Sequence, residues 1–406
     1  MKKIIMVMLL VSGAVCLYAD TAGIPMEIFY KGFGVRSLSM GGAALANVND
    51  ATSVYWNPAD LEDVSQHQIY ASFETYYGGA HFDNLAYSMP MGRYGGAGVS
   101  VSYMGYGSYD LIDVNGNQLG TGTVSDMFVT IGYGKDLFYN IKGGFNIKPL
   151  FRTIGSDTFS GVNADISFSR SFDKYVDAAV SFRNILPLAI QYSNDKEDFM
   201  SSCRLGIDIN ILDSVIKIAA DAEKYFYNIA PLFYAGIEYN IIGPLYLRAG
   251  YNNNPGDITA GIGITINDFV LDYGIDINST VTSNKIAVSY RFGGYELALK
   301  ADQPIFSPLS SNNKCYIRII SETKYEVYKW LIEIKDSDGK TIKTWEGAGK
   351  PSDSVTWDGL RDDGMPQSEG TYTLNITATD ENGTVIKSND IKIKISNNVN
   401  FSPVLE

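Results

Sequence analysis

Residues 284–292 read NKIAVSYRF, and they alternate without a fault: Ile286, Val288, Tyr290 and Phe292 share one face, Lys285, Ala287, Ser289 and Arg291 the other. A period of two residues is the signature of a β-strand with two unlike faces. The pattern recurs upstream. In 162–168 the apolar set opposes Asn163, Asp165 and Ser167; in 216–222 it opposes Lys217 and Asp221; in 233–239 it opposes Glu238; in 269–275 it opposes Asp272. A soluble sandwich turns such an apolar face inward, whereas a barrel in a bilayer turns it out. Alternation alone leaves both open.

Strand number and length decide between them. Between Gln66 and Phe292 we count fourteen strand cores of about ten residues, near 67–76, 81–89, 96–104, 124–134, 142–153, 161–170, 175–184, 201–210, 214–222, 232–240, 245–251, 258–266, 268–276 and 284–292. They are separated by turn-rich pieces such as Asp113-Val-Asn-Gly116, Ser193-Asn-Asp195 and Asn252-Asn-Asn-Pro-Gly256. A sheet of this size is too large for an ordinary open sheet, and closure removes both edges; ten residues also cross a bilayer at a tilt. The reading is an all-β chain with an antiparallel outer-membrane β-barrel of about fourteen strands over 66–296. Composition agrees, with 13% aromatic residues, 28 Tyr, 40 Gly and only 19% charged residues. A formal net charge of −13 argues against nucleic acid as a partner. No stretch after the leader has the unbroken apolar run of a membrane helix.

Residues 1–19 have the architecture of a secretory signal peptide: Lys2 and Lys3, an apolar run from Ile4 to Val15, then Cys16 to Ala19 before Asp20. Cys16 also invites a lipoprotein reading, but Val15 stands where lipidation signals place a small residue; cleavage after Ala19 is preferred. Cys203 and Cys315 then remain, too far apart and too few for a disulfide framework or a CxxC metal site. Residues 37–61, SLSMGGAALANVNDATSVYWNPADL, have neither a helix's stripe nor a strand's alternation. Too apolar for a linker, this small-residue piece must pack against or inside the sheet. After Phe292 the composition changes: Ala301 to Pro308 reads as a linker, and about seven short strands follow over 302–398, with the size and rhythm of an immunoglobulin-like sandwich.

Arg36-Ser37, Met40-Gly41-Gly42-Ala43, Asp50 and Asn57-Pro58-Ala59, in that order, resemble the N-terminal pattern of the FadL-like outer-membrane proteins, nearest to their PorV/PorQ-like branch. Leu247-Arg-Ala-Gly-Tyr251 and Asp272-Tyr273 extend the resemblance over about 28–296. It implies a fourteen-stranded barrel whose N-terminal segment, 20–65, folds into the lumen as a hatch built on those residues. Asn57 and Pro58 also suit the start of a short helix, and the two roles are compatible. Val355-Thr-Trp-Asp-Gly359, Asp363-Gly364 and Gly370-Thr-Tyr372 resemble the FlgD-type Ig-like module, in which Trp357 would anchor the core. Phe306-Ser-Pro308 recurs as Phe401-Ser-Pro403 and reads as a boundary motif.

No constellation argues for catalysis, a cofactor or a metal. His67 and His81 read as strand histidines without a nucleophile. Asp336-Ser-Asp-Gly339 and Arg361-Asp-Asp-Gly364 lack the spaced ligands and terminal Glu of a calcium loop and read as turns. The charged lumen candidates are Asp165, Lys217, Asp221, Glu223, Glu238, Arg248, Asp272 and Arg291; both signs occur, which favours internal pairing over an ion-selective pore. The resemblance implies passive, hatch-gated transport of hydrophobic or amphipathic molecules, or a PorV-like scaffold for secretion-system or surface proteins, which the appended Ig-like module favours. A soluble adhesin remains only if the barrel does not insert. The expected partners are outer-membrane lipid and hydrophobic small molecules, and the expected setting is the cell outer membrane with the Ig-like domain in the periplasm.

Overall fold

The computed structural model describes residues 30–396 apart from 47, 77–78, 187–188, 192–195, 228, 254–255, 278–281, 310–312 and 362–363. The leader, the first ten residues of the expected hatch, the turn at Ser193, Asp363 and the Phe401-Ser-Pro403 repeat lie outside the described residues. The chain divides into two compact units, one ending at Phe292 and one beginning at Gly293.

In the first unit fourteen antiparallel strands close into a barrel. They are β1 (His67–Thr75), β2 (His81–Pro90), β3 (Gly96–Ile112), β4 (Gln118–Phe138), β5 (Ile141–Ile154), β6 (Asp157–Ser171), β7 (Val176–Arg183), β10 (Ser202–Ile211), β11 (Ile216–Tyr225), β12 (Leu232–Ile242), β13 (Leu245–Asn252), β14 (Ile258–Ile266), β15 (Phe269–Ile277) and β16 (Thr282–Phe292). Two short strands, β8 (Ala189–Gln191) and β9 (Lys196–Asp198), pair with each other off the wall. All fourteen strands read from sequence are present. Closure runs through β1 and β16, with His67 opposite Phe292 and Thr75 opposite Asn284.

The face question is settled by exposure: Ile286 is 55% and Val288 39% exposed, while Lys285 is 1% exposed. The apolar face looks out and the charged face in, the arrangement a bilayer selects. Ten-residue uniformity fails for four strands, since β3 to β6 run to 17, 21, 14 and 15 residues. At their loop ends these strands continue beyond the pairing offered by their outer neighbours. At the opposite end the connections are short, and both β1 and β16 have their outer termini there.

In the second unit β17 (Glu296–Ala301), β19 (Cys315–Glu322) and β22 (Ser354–Trp357) form one sheet, in the order β17-β19-β22. The other sheet orders β18 (Ile305–Phe306), β25 (Ile391–Ile395), β23 (Gly370–Asp380), β20 (Val327–Lys335) and β21 (Thr341–Ala348), with β24 (Val385–Lys387) on β23. The expected boundary moves. The segment 296–301 belongs to the sandwich, because it pairs with β19 and buries Leu299, and Phe306 within the expected linker is a buried core residue. The unit therefore holds nine strands among the described residues rather than about seven. Trp357 is its anchor, fully buried and edge-on to Phe306 at 5.4 Å and to Tyr372 at 5.3 Å. Asp336 accepts from the backbone N–H of Asp338 and Lys340, which makes 336–339 a turn.

Candidate functional site

The segment from Tyr30 to Val64 fills the barrel interior. Its regular pieces after Gly32 among the described residues are short: α1 (Val35–Ser39), α2 (Ser53–Trp56) and a 3-10 turn over Pro58–Asp63. Between them the chain reverses at Gly41 and Gly42, whose φ of 70° and 83° lie in the left-handed region that glycine adopts without strain. A Cβ on Gly41 would stand 2.6 Å from the Tyr251 backbone nitrogen, so plug and wall meet backbone to backbone. The wall is cut to match. At Gly236 and Gly250 an added Cβ would run into Met40 and Gly41, and at Gly96, Gly134 and Gly144 into Leu61, Pro58 and Ala59. Inward glycines on the strands are thus the seats of the plug.

Each sequence-selected hatch residue has a definite contact. Arg36 donates to both Glu238 oxygens at 2.9 Å. Met40 and Ala43 are buried, and Asp50 accepts from the Thr52 N–H at 2.8 Å and hydroxyl at 2.6 Å. Asn57 caps the 3-10 turn by accepting from the Ala59 N–H, with Pro58 in its first position. The Asn57 amide also donates to the Leu45 carbonyl at 2.7 Å, while Ala59 donates to the Ser167 hydroxyl of the wall at 3.0 Å. Cap and plug contact coexist in one turn.

The eight lumen candidates divide into four groups. Glu238, Arg248 and Asp272 join Arg36 in one chain of ion pairs, Arg248 reaching Glu238 and Asp272 at 2.6 Å each. Asp221 holds the plug backbone, accepting from the Ala44 and Leu45 N–H groups at 3.0 Å, and pairs with Arg204, which itself donates to the Gly42 carbonyl. Asp165 and Glu223 pair with wall cations, Asp165 with Lys148 at 2.7 Å and Glu223 with Arg183 and Arg204 at 3.5 Å. Lys217 and Arg291 line a cavity at the short-turn end. The partners Arg183, Arg204 and Lys148 escaped the sequence reading. Their signal was available, since each sits on the polar parity of a strand already recognised. Charges buried this way are costly unless paired, and here the pairing also ties wall to plug.

The interior is graded along its length. Toward the loop end the plug side chains Tyr30, Phe33, Tyr55 and Trp56 share one apolar cluster with wall residues Phe82, Met104, Phe128, Leu150, Tyr225 and Leu232 and with Phe199 from the connection between β9 and β10. Toward the short-turn end lie two polar cavities. One of about 380 Å³ is lined by Arg36, Asp50, Glu238, Arg248 and Arg291 among others, and one of about 170 Å³ by Asp60, Asp63, Lys142, Asp177 and Asp208 among others. His67 and His81 are wall residues bonded to Tyr87 at 2.7 Å and Asp83 at 3.0 Å. Among the described residues no His, Cys, Asp and Glu group has metal-binding geometry.

Comparison with known proteins separates the two units. The family described as the FlgD Ig-like domain matches residues 323–388. No curated protein matches the chain. Among solved structures it is similar to the Pseudomonas putida toluene transporter TodX, with 12% identity, 64% of this chain and 98% of that chain covered and a TM-score of 0.50. It is likewise similar to the CymD monoaromatic hydrocarbon channel, with 11% identity, the same coverage and a TM-score of 0.50. A Pseudomonas aeruginosa FadL homologue follows at 9% identity and a TM-score of 0.45, covering 64% of this chain and 98% of that one. The barrel shares its fold with this transporter and this channel.

Proposed function

We propose that the barrel conducts hydrophobic or amphipathic molecules passively across the outer membrane, gated by the plug. The grading of the interior carries this reading. A pore for polar solutes needs an open, hydrated entrance, whereas at the loop end of the lumen aromatic and aliphatic side chains shared by wall and plug pack between charges that neutralise one another, Lys31 and Lys285 with Glu74 and Arg152 with Asp126. The fold neighbours, a toluene transporter and a monoaromatic hydrocarbon channel, support the same ligand class. In a bacterial outer-membrane barrel the short turns face the periplasm, so the chain leaving β16 enters that compartment and the Ig-like unit is periplasmic.

The plug itself provides the test. Deleting 37–61 removes the seat contacts but no wall strand, so the purified variant should retain heat-modifiable migration, conduct ions in planar bilayers and pass toluene into liposomes faster than the parent. A folded, inserted variant with unchanged conductance and unchanged toluene uptake would overturn gating. The second reading, a PorV-like outer-membrane scaffold for secretion or surface attachment, is favoured by the appended Ig-like unit, for which a conduit has no evident need. It would then take first place.

A further inference from the structure

The inner wall over β1 to β4 carries polar groups that neither the plug contacts nor the ion pairs use. The hydroxyls of Ser88, Ser100, Ser102 and Thr130 and the side-chain carbonyl of Asn84 are buried in the lumen, and none has a hydrogen-bond partner among the described residues. Strand register gathers them. Ser102 stands opposite Asn84 of β2, Ser100 opposite Thr130 of β4, and Ser88 opposite Gly98, which lies two residues from Ser100 toward the short-turn end. Side chains directly opposite are about 4.5–5.5 Å apart at Cβ, and those two apart on one strand are about 6.5 Å apart. Both gaps exceed a direct hydroxyl bond of about 2.5–3.0 Å and suit a water bonded to either side.

Both ends of this row are polar. Toward the loop end the Asn84 amide donates to the Ser72 hydroxyl at 3.3 Å, and the next inward residue of β1 is Glu74, paired with Lys285 at 3.0 Å and with Lys31 of the plug at 2.6 Å. Lys285 pairs with Asp276 as well, and the Ser283 hydroxyl donates to Glu74 at 3.2 Å. The Lys31 side chain keeps 23% exposure, so this cluster reaches water. Toward the short-turn end Ser88 stands opposite Gln68, which lines the cavity of about 380 Å³ together with Tyr70, Ser289 and Arg291. A dry seat for the plug would take alanine along the whole row, as it does at Ala86 between Asn84 and Ser88. Hydroxyls buried without a partner are costly unless water supplies one.

We propose that a file of water runs along this side of the closed barrel, and that water crosses the outer membrane through it while the plug stays seated. The file is separate from the apolar cluster proposed to take hydrophobic cargo. It is also closed to ions, because one or two neutral hydroxyls at each level cannot replace an ion's hydration shell, and both signs of charge, Glu74 and Lys285, stand at its upper mouth.

The experiment uses the full-length protein in liposomes, with shrinkage after a sucrose step followed by light scattering. The parent should shrink about five-fold faster than protein-free liposomes of equal size and show no ion conductance in planar bilayers. The Ser100→Ala/Ser102→Ala/Thr130→Val variant should fall to within about two-fold of the protein-free rate, with heat-modifiable migration and toluene uptake unchanged. Ser181→Ala removes a buried, unpaired hydroxyl from β7, away from the row, and should behave like the parent. Thr130→Val alone exchanges a hydroxyl for a methyl and should slow shrinkage about two-fold, which decides the matter if the triple variant does not insert. A parent no faster than protein-free liposomes, or a Thr130→Val variant as fast as the parent, overturns the file. A parent that shrinks fast and also conducts ions overturns it too, because water would then be leaking past the plug. Loss of toluene uptake together with water flux would place these hydroxyls on the cargo path and end the claim of a separate file.

Discussion

The barrel and the C-terminal sandwich are written in the same alternating pattern and bury opposite faces of it. Inside the barrel the buried groups include Arg204 with Asp221, Lys148 with Asp165 and Arg248 with Asp272. In the sandwich the buried groups are Ile317, Ile332, Leu374, Ile376 and Trp357, while ion pairs such as Lys350 with Glu322 sit at the surface. Alternation therefore specifies two unlike faces and nothing more. Which face goes inside is set by what lies outside, water in one case and hydrocarbon in the other.

The sharpest way to break the comparison is to damage each interior at its centre. Trp357→Ala should cost the sandwich about 3–5 kcal/mol through lost burial and a cavity that no single neighbouring substitution refills. Arg204→Met should cost the barrel a comparable ~3–5 kcal/mol for the opposite reason, an Asp221 carboxylate left buried without its cation. Adding Asp221→Leu to Arg204→Met should recover part of that loss. Recovery stays partial because the Ala44 and Leu45 N–H groups lose their acceptor. Urea midpoints read by heat-modifiable migration for the barrel, and by near-ultraviolet circular dichroism for the sandwich, give the numbers. A neutral Arg204→Met would mean that the barrel interior is wet enough to leave Asp221 solvated, and the two cores would differ in hydration rather than in pairing.

How much of this was legible follows from where each signal resides. All fourteen wall strands were readable because their information is local, parity within about ten residues, as in 284–292. Four of the chosen residues, Arg36, Glu238, Arg248 and Asp272, proved to be one chain of ion pairs although they lie as far apart as 36 and 272. Parity had placed the wall members on the inward face, but their mutual register comes from strand pairing, which no short window contains. Arg204 was passed over although parity alone places it on the inward face of β10. The 296–301 segment was left between the barrel region and the sandwich because an edge strand of six residues with Leu297 and Leu299 looks the same whichever sheet takes it up.

A smaller effect sharpens the contrast at the plug. Gly41→Leu and Gly42→Leu each force a side chain into a left-handed turn, and overpacking adds about 1–3 kcal/mol per site. Gly41 should be the more damaging. Its new Cβ meets the backbone of Tyr251 and Ala235, which cannot move without breaking the wall, whereas that of Gly42 meets the Tyr234 ring at 3.3 Å, which can turn aside. Protease cleavage within 37–61 in the inserted protein should rise more for Gly41→Leu, while the wall keeps its heat-modifiable migration. Equal cleavage of both variants and the parent would show that the plug does not depend on the glycine seats.

The smallest expected effect concerns the two cysteines, one on each side of the comparison. Cys203 stands on the outward parity of β10 beside Leu205 and Ile207, and Cys315 is fully buried in the sandwich, its thiol donating to the Gln303 carbonyl at 3.3 Å. Burial, reinforced by the Asp302 carboxylate, pushes the Cys315 thiol from an ordinary 9.0 up to about 12. The folded unit thus favours the protonated thiol more than the unfolded chain does. This contribution to stability is fully present below about pH 9 and is lost as the pH rises toward 12. N-ethylmaleimide, which partitions into detergent and lipid, should modify Cys203 in the folded protein. The peptide carrying Cys315 should stay unlabelled at pH 8 and gain label only as the sandwich opens, in parallel with loss of its near-ultraviolet signal. Rapid labelling of Cys315 at pH 8 with the sandwich intact would show that this core admits solvent, and its contrast with the barrel interior would narrow from that side.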